Sequence, residues 1–175
     1  MLRKKGDSGN IRISFSVEHE ALGTRGAIRL AMTKLQGEHA LILNGDSLFD
    51  VDLNALNLFG SLDTPILFGR FVHDVSRYGH FIFNGNQIQQ YAEKGGNGHG
   101  CINGGVYVFP KHLLDTFPLY QKFSIETEVF SKFSSDNTAY LIISEGYFID
   151  IGLPESYRRA QEELKPYIKH KSTMS

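Results

Sequence analysis

The chain has 175 residues, of which 41% are hydrophobic, so it is long enough to enclose a core as a single domain. Its 18 basic and 19 acidic side chains leave a formal net charge of −1, which argues against proteins that hold nucleic acid or anionic membranes by a general positive field. The lone Cys101 cannot form an internal disulfide, no apolar run is long enough to cross a bilayer, and the N-terminus lacks the apolar core of a secretory signal. We therefore expect a cytoplasmic, single-domain protein over residues 1–175, with a frayed tail at about 169–175.

The N-terminal half is predicted to be a strand, a helix and a buried strand. Residues 12–17 alternate apolar and polar side chains, residues 24–35 carry apolar residues at helical spacing, and residues 40–43 are continuously apolar. A buried strand reached through a helix is typical of parallel strands joined by a right-handed crossover. These patterns indicate an α/β protein with a mixed, mainly parallel sheet.

The remaining sequence alternates predicted strands and helices. Strands are predicted at residues 65–72, 79–83, 87–91, 106–109, 138–143 and 147–151, with a hairpin turn at 84–86. Helices are predicted from Pro110 to about 117, over residues 124–133, and from Pro154 until Pro166 stops the last one. Ser124 suits an N-cap, with Glu126 and Glu128 in the first turn. The glycine-rich residues 95–100 fit either a mobile loop beside a site or a plain hairpin connection.

Polar residues that directly follow strands are the first candidates for a site, because ligands of open α/β sheets bind beyond the carboxyl ends of the strands. Residues 20–27 link a strand to a helix and place two glycines and Thr24 at the helix N-terminus. Glycine lets a base or a phosphate approach the main chain, and the helix dipole favours an anion. An ordinary strand-to-helix turn with Thr24 as its cap explains the spacing equally well.

Two aspartates stand at predicted strand ends. Asp46 directly follows the buried strand, and Asp150 lies in an apolar strand end before a glycine and a helix. Mg²⁺ takes oxygen ligands and usually relies on one or two carboxylates plus phosphates. The alternatives are an Asx-type turn at Asp46 and a helix cap at Asp150, and the spacing alone does not show that the two residues meet.

Two lesser candidates are Glu93-Lys94, at the end of one strand, and Asn103-Gly104-Gly105, at the start of another. Both could contact sugar hydroxyls or a phosphate, or they could be an exposed ion pair and a bulge. The seven histidines show no close metal-ligand pair, Cys101 has no CxxC partner, and no serine lies in a Gly-x-Ser-x-Gly elbow. These patterns argue against a zinc site and a serine hydrolase.

Seven short motifs carry a family resemblance, and their order is more specific than any one of them. They lie at residues 20–24 (EALGT), 44–47 (NGDS), 77–79 (RYG), 93–94 (EK), 102–107 (INGGVY), 123–126 (FSIE) and 148–155 (FIDIGLPE). In this order they resemble the sugar nucleotidyltransferase family over nearly the whole chain. Within it the resemblance is greatest to D-glycero-D-manno-heptose 1-phosphate guanylyltransferases, and weaker to mannose-1-phosphate guanylyltransferases and glucose-1-phosphate thymidylyltransferases.

The resemblance implies a Rossmann-like nucleotidyltransferase fold. It also implies attack of a sugar 1-phosphate on the α-phosphate of a nucleoside triphosphate, with GTP as the expected donor, and release of pyrophosphate. The product would be a precursor of cell-surface polysaccharide such as lipopolysaccharide or capsule. Asp46 and Asp150 would hold Mg²⁺, and Lys94 would add positive charge near the sugar phosphate. The implied nucleotide-binding residues are Leu22, Gly23, Thr24 and Gly45, and the implied sugar-binding residues are Tyr78, Gly79, Glu93, Asn103 and Gly104.

Two features depart from the family pattern. The family begins with a strand, a glycine-rich loop of the type G-G-x-G-T-R-L and a Pro-Lys pair, whereas Met1 falls after this point, so we expect a truncated domain that lacks its first strand and loop. Unpaired sheet edges would then favour self-association, as a homo-oligomer, or poor solubility. Arg25 stands where the family usually has a small residue, and it would either crowd the base pocket or reach a phosphate.

Three hypotheses follow. The first is an active nucleotidyltransferase, whose base and sugar the sequence does not fix, since thymidylyl transfer would suit the charge and length as well. The second is a non-catalytic fragment that binds a nucleotide sugar or a partner subunit, motivated by the missing phosphate loop. The third is an unrelated α/β binding domain, which would require the ordered motifs to be a coincidence.

Overall fold

The computed structural model describes residues 14–115, 119, 124–133 and 138–169. These residues form five α-helices, which are α1 Gly23–Met32, α2 Lys111–Asp115, α3 Ile125–Glu128, α4 Pro154–Glu163 and α5 Lys165–Lys169. They also form eight strands, which are β1 His39–Leu43, β2 Ser47–Phe49, β3 Ile66–Val72, β4 His80–Asn84, β5 Gln87–Ala92, β6 Gly100–Pro110, β7 Tyr140–Ile143 and β8 Phe148–Asp150. Two 3-10 helices complete the described elements, at Leu53–Leu58 and Phe130–Lys132.

The main sheet has six strands in the order β1-β6-β3-β7-β5-β4. The long strand β6 runs antiparallel between β1 and β3, while β3 and β7 are parallel. A separate two-stranded sheet pairs β2 with β8 antiparallel. The α/β class and the mixed sheet are confirmed, but the described strands are not mainly parallel. The apolar run at residues 40–43 predicts a buried strand, but β1 exposes Leu41 and Leu43, so that prediction is wrong. An apolar run also does not show the direction of the neighbouring strand.

Several predicted elements have different bounds or do not form. Residues 14–17 of the first predicted strand form no strand. The apolar side chains of Phe15 and Val17 are exposed, so the alternating apolar pattern there does not pack against a sheet. The helix predicted over residues 124–133 is α3 followed by a 3-10 turn. The helix predicted from Pro154 is α4, which ends at Glu163, before Pro166 as predicted. Pro166 then occupies the first turn of a further short helix, α5, where its missing N–H is tolerated. Residues 12–13, 116–118 and 170–175 of the predicted elements lie outside the described residues.

The sheet buries a core on each face. Along β6, Tyr107 and Phe109 point into one cluster, and Val106 and Val108 into the other, as the two-residue period of a strand requires. The first cluster centres on Phe130, which is fully buried and lies 5.5 Å, ring to ring, from Tyr107. This aromatic cluster supports the floor of the site described below.

The outer edge of β1 is open in the described part of the chain, where β1 pairs with β6 alone. Leu41 and Leu43 on this strand are 48% and 63% exposed. A groove of about 560 Å³ lies between β1, helix α1 and the segment that contains Ser14 and Ser16. The edge therefore offers unpaired backbone groups next to apolar surface.

No helix among the described residues has the length and apolar character that crossing a membrane would need.

Candidate active site

The two predicted metal-binding aspartates meet through the small β2–β8 sheet. Asp46 immediately precedes β2 and Asp150 ends β8, with Ser47 and Asp150 opposite each other in the ladder. The backbone N–H of Ile151 donates to the carbonyl oxygen of Asp46 over 2.9 Å. Both side chains line the same cleft, so the pairing brings together two acids that are far apart in the sequence.

Asp150 is not the cap of helix α4. The N-cap is Leu153, whose backbone N–H donates to Ser156 Oγ over 3.3 Å. Asp150 Oδ1 instead accepts a 2.6 Å hydrogen bond from the backbone N–H of Gly152, which fixes the carboxylate at the end of the strand. Asp150 is half-buried and Asp46 is exposed, so both carboxylates remain accessible from the cleft.

The cleft has a volume of about 160 Å³ and collects most of the predicted catalytic and sugar-binding residues. Its lining includes Asp46, Tyr78, Gly79, Lys94, Asn103 and Asp150, together with Asn44, Ser47, Gly105, Glu126 and Phe148. Glu93 is exposed beside Lys94 and does not line the cleft. Gly104 is buried on the other side of β6, where an added Cβ would lie 2.3 Å from the Phe49 ring, so this glycine is required for packing.

A second pocket of about 560 Å³ adjoins the first and shares Asn44, Asp46 and Glu126 with it. Thr24 and Gly45, predicted to bind the nucleotide, line this pocket. Thr24 is not the cap of α1, because the N-cap is Leu22 and Thr24 is the second helical residue.

The other two predicted nucleotide-binding residues stand at the start of α1. Gly23 has a φ of 69°, a left-handed conformation that favours glycine. Leu22 is buried, and it lines a separate small pocket with Glu18 and His19. Leu22 thus shapes the turn before α1 and does not line the larger pocket.

Arg25 was expected either to crowd the base pocket or to reach a phosphate, and its position fits neither. The side chain is only 3% exposed, lines neither of the two pockets, and lies with Nη1 3.7 Å from Glu128 Oε2. Burial lowers the pKa of the guanidinium, and the nearby Glu128 carboxylate opposes that effect. Arg25 therefore ties α1 to α3, the two helices that border the larger pocket.

A hydrogen-bonded group of side chains forms the floor of the cleft. Asn103 Nδ2 donates to the Tyr107 hydroxyl over 2.8 Å and to Glu126 Oε1 over 3.4 Å, while its Oδ1 accepts from the Gly105 N–H over 3.0 Å. The Tyr91 phenol faces Glu126, whose carboxylate adds to the effect of burial in raising the pKa of Tyr91. Burial is the main cause that raises the pKa of both tyrosines, so both phenols stay protonated.

Glu126 was missed as a site residue. It lies within one of the family-like motifs, but its position in the first helical turn after Ser124 is also what helix capping predicts. The cap is confirmed, because Ser124 Oγ accepts a hydrogen bond from the Glu126 N–H. The motif itself was the signal that could have identified it.

The carboxylates of the cleft fit a magnesium ion better than a metal held by protein alone. Among the described residues, no group of three or more His, Cys, Asp or Glu side chains is placed to hold a metal. Asp46 and Asp150 form a two-carboxylate set, which suits an ion that completes its coordination with phosphates and water.

Comparisons with known proteins identify the family of the chain. The family model described as Nucleotidyl transferase matches residues 1–166. The D-glycero-alpha-D-manno-heptose 1-phosphate guanylyltransferase of Aneurinibacillus thermoaerophilus is 39% identical over 161 residues, covering 90% of this chain and 70% of that protein. The enzyme of the same name from Campylobacter jejuni is 38% identical over 148 residues, covering 84% of this chain and 65% of that protein.

Solved structures show the same similarity. The crystal structure of HddC from Yersinia pseudotuberculosis complexed with GMP-PN has a TM-score of 0.72 at 33% identity, covering 85% of this chain and 65% of that one. A second HddC structure from the same organism has a TM-score of 0.77 at 32% identity, covering 90% and 69%. This chain thus spans about two thirds of the length of these relatives. From the motifs, the fold and these similarities, the chain belongs to the nucleotidyl transferase family.

Proposed function

We propose that this chain transfers GMP from GTP to a sugar 1-phosphate, with D-glycero-D-manno-heptose 1-phosphate as the acceptor, and releases pyrophosphate. The observation that carries the proposal is the convergence of Asp46, Asp150 and Lys94 in one cleft. Two phosphate-bearing substrates repel each other, so joining them requires positive charge at the reacting phosphates. The cleft offers one amine directly and two carboxylates that can hold a divalent cation.

In the proposed reaction, an oxygen of the sugar 1-phosphate attacks the α-phosphorus of GTP. A new P–O bond forms, the bond from the α-phosphorus to the bridging oxygen breaks, and its electron pair leaves with pyrophosphate. Mg²⁺ held by Asp46 and Asp150 would neutralise charge on the phosphates. Lys94 would place its ammonium beside the sugar phosphate, and the two adjoining pockets would hold the reactants close together, which lowers the entropic part of the barrier.

The two pockets would divide the substrates between them. The larger pocket, with Thr24 and Gly45 on its wall, would take the nucleoside, since Gly45 is exposed and an added Cβ there would meet nothing within 4 Å. The smaller cleft would take the sugar, with Tyr78, Gly79 and Asn103 around it. Glu93, exposed beside Lys94, would reach the sugar from outside the cleft lining, whereas Gly104 would serve packing against Phe49.

The choice of base and sugar is supported by the relatives. The two heptose 1-phosphate guanylyltransferases are 38–39% identical to this chain. A mannose-1-phosphate guanyltransferase from Schizosaccharomyces pombe is 32% identical, which makes mannose 1-phosphate the second candidate acceptor. A likeness to a putative glucose-1-phosphate thymidylyltransferase, at 17% identity, bears on the fold alone. The product would serve cell-surface polysaccharide synthesis from the cytoplasm, where GTP is available.

The test is Mg²⁺-dependent release of pyrophosphate from GTP with heptose 1-phosphate, mannose 1-phosphate and glucose 1-phosphate, with dTTP in parallel. We expect turnover with GTP and heptose 1-phosphate that Asp46→Asn abolishes. Asp50→Asn is the matched control, because Asp50 is an exposed aspartate just beyond the other end of β2. A folded chain with no turnover on any pair would overturn the proposal and favour a fragment that only binds a nucleotide sugar.

A further inference from the structure

We propose that Glu126 selects the sugar substrate by accepting a hydrogen bond from one hydroxyl of the sugar ring, an inference that rests on the proposed function. Glu126 is half-buried on α3 and lines both the smaller cleft and the larger pocket. It shares this position with Asn44 and Asp46, so it stands where the two bound substrates would meet.

The Glu126 carboxylate is held in place from behind. Asn103 Nδ2 lies 3.4 Å from its Oε1, and the Tyr91 phenol faces it from the core. Tyr91 is itself fixed, because it is 6% exposed and its ring lies 5.4 Å from Phe81 and 5.5 Å from Phe130. A carboxylate oriented by buried neighbours loses little freedom when it binds a ligand, which is the condition for a selective contact.

Room for this arrangement is made by Gly79. A Cβ at position 79 would lie 1.8 Å from the Tyr91 hydroxyl oxygen, so a glycine here leaves that hydroxyl its place, facing Glu126. The glycine of the RYG motif thereby serves the orientation of Glu126.

The charge of Glu126 decides which part of the substrate it faces. A carboxylate repels phosphate, so it belongs against the uncharged ring. An ionised carboxylate accepts at about four lone-pair positions, so capacity remains after Asn103 has donated. Sugar hydroxyls are the donors that such an acceptor takes. Among the other lining carboxylates, Asp46 and Asp150 are assigned to the metal.

The substitution Glu126→Gln keeps the size of the side chain and removes its charge. Hydrogen bonds to charged groups contribute enough to change affinity by about tenfold to a hundredfold. We expect the KM for the sugar 1-phosphate to rise by about that factor, while the KM for GTP changes by less than about twofold. Tyr91→Phe removes only a group that orients Glu126, so it should raise the same KM by a smaller factor. Glu145→Gln, at an exposed glutamate between β7 and β8, is the matched control.

The hydroxyl is identified with mannose 1-phosphate and its 2-deoxy, 3-deoxy and 4-deoxy analogues. The wild-type chain should lose at least about tenfold in kcat/KM with one analogue, and Glu126→Gln should show no further loss with that same analogue. If Glu126→Gln lowers kcat/KM equally for every analogue, or leaves the KM for the sugar unchanged, the inference is wrong.

A binding measurement separates this inference from the proposed function. If the wild-type chain turns over no sugar 1-phosphate, the proposed function fails, and calorimetry with GDP and GDP-mannose then tests Glu126 alone. The wild-type chain should bind GDP-mannose more tightly than GDP, and Glu126→Gln should lose that difference while its affinity for GDP is retained. If the wild-type chain and Glu126→Gln prefer GDP-mannose over GDP equally, or if neither prefers it, a role for Glu126 in sugar recognition is refuted.

Discussion

Replacing Gly79 by alanine should disturb the site from beneath. The new Cβ would lie 1.8 Å from the Tyr91 hydroxyl oxygen and 2.3 Å from the ring carbon that carries it. Tyr91 cannot retreat easily, because its ring packs between Phe81 and Phe130 at centroid distances of 5.4 and 5.5 Å. Either the ring or the backbone of residue 79 must move, and both movements strain a packed region.

The size of the effect follows from these contacts. Overpacking a well-filled core costs about 1–3 kcal/mol, and we expect Gly79→Ala to lie in the upper half of that range. Tyr91→Phe alone should cost about 1 kcal/mol or less, since it removes only the hydroxyl that faces the half-buried Glu126. The double variant should cost less than the sum by at least about 0.5 kcal/mol, because removing the hydroxyl also removes the closest clash.

Urea unfolding followed by far-UV circular dichroism measures all four chains, since the protein has no tryptophan to report by fluorescence. A free-energy change below about 1 kcal/mol for Gly79→Ala would show that the Tyr91 ring moves aside without cost. Additive single and double variants would show that the two residues do not touch, and either result would refute the packing described here.

Three further outcomes are expected. Phe130→Ala should lower the free energy of unfolding by about 3–5 kcal/mol, because the ring is fully buried, whereas Leu58→Ala, at a side chain 76% exposed, should change it by less than about 0.5 kcal/mol in the same urea titration. Burial raises the pKa of the Cys101 thiol from 9.0 to about 12, so the thiol ionises more readily in the unfolded chain. The stabilising effect of the buried neutral thiol is therefore complete below pH 9 and is lost as the pH rises towards 12. Urea midpoints measured across this window should fall less steeply in Cys101→Ala. The open edge of β1 should make the chain self-associate, and Leu41→Lys with Leu43→Lys should shift its sedimentation towards monomer, whereas a monodisperse wild-type monomer would contradict this.

Local chemistry made part of the fold predictable. The hairpin from β4 to β5 was located from its Asn-Gly turn, and Gly85 has the positive φ, 56°, that such a turn requires. Ser124 was identified as a cap from its place before a helical pattern, and its Oγ accepts from the N–H of Glu126 and of Thr127. These features depend on a few neighbouring residues, so the sequence is sufficient to find them.

Long-range pairing was the part that could not be predicted. Strand β2 has only three residues, too few for a period to show, yet it carries the contact that brings Asp46 to Asp150. The partner of Arg25 was equally hidden, because Glu128 lies on a helix far along the chain and nothing local marks the pair. Family motifs indicated which residues matter at the site, but the arrangement of strands decides which of them touch.

The β2–β8 sheet has a thermodynamic consequence for the C-terminal part of the chain. Its two strands share only three residue pairs, and their closure joins segments from distant parts of the sequence, which is entropically costly. A cation bound by both Asp46 and Asp150 would bind only when β8 is paired with β2. By linkage, each tenfold increase in cation concentration above the dissociation constant would then stabilise the docking of β8 and of the following helices by about 1.4 kcal/mol. Substrate-bound metal would thus act as a reversible cross-link, and the C-terminal segment would be held most firmly while the site is loaded.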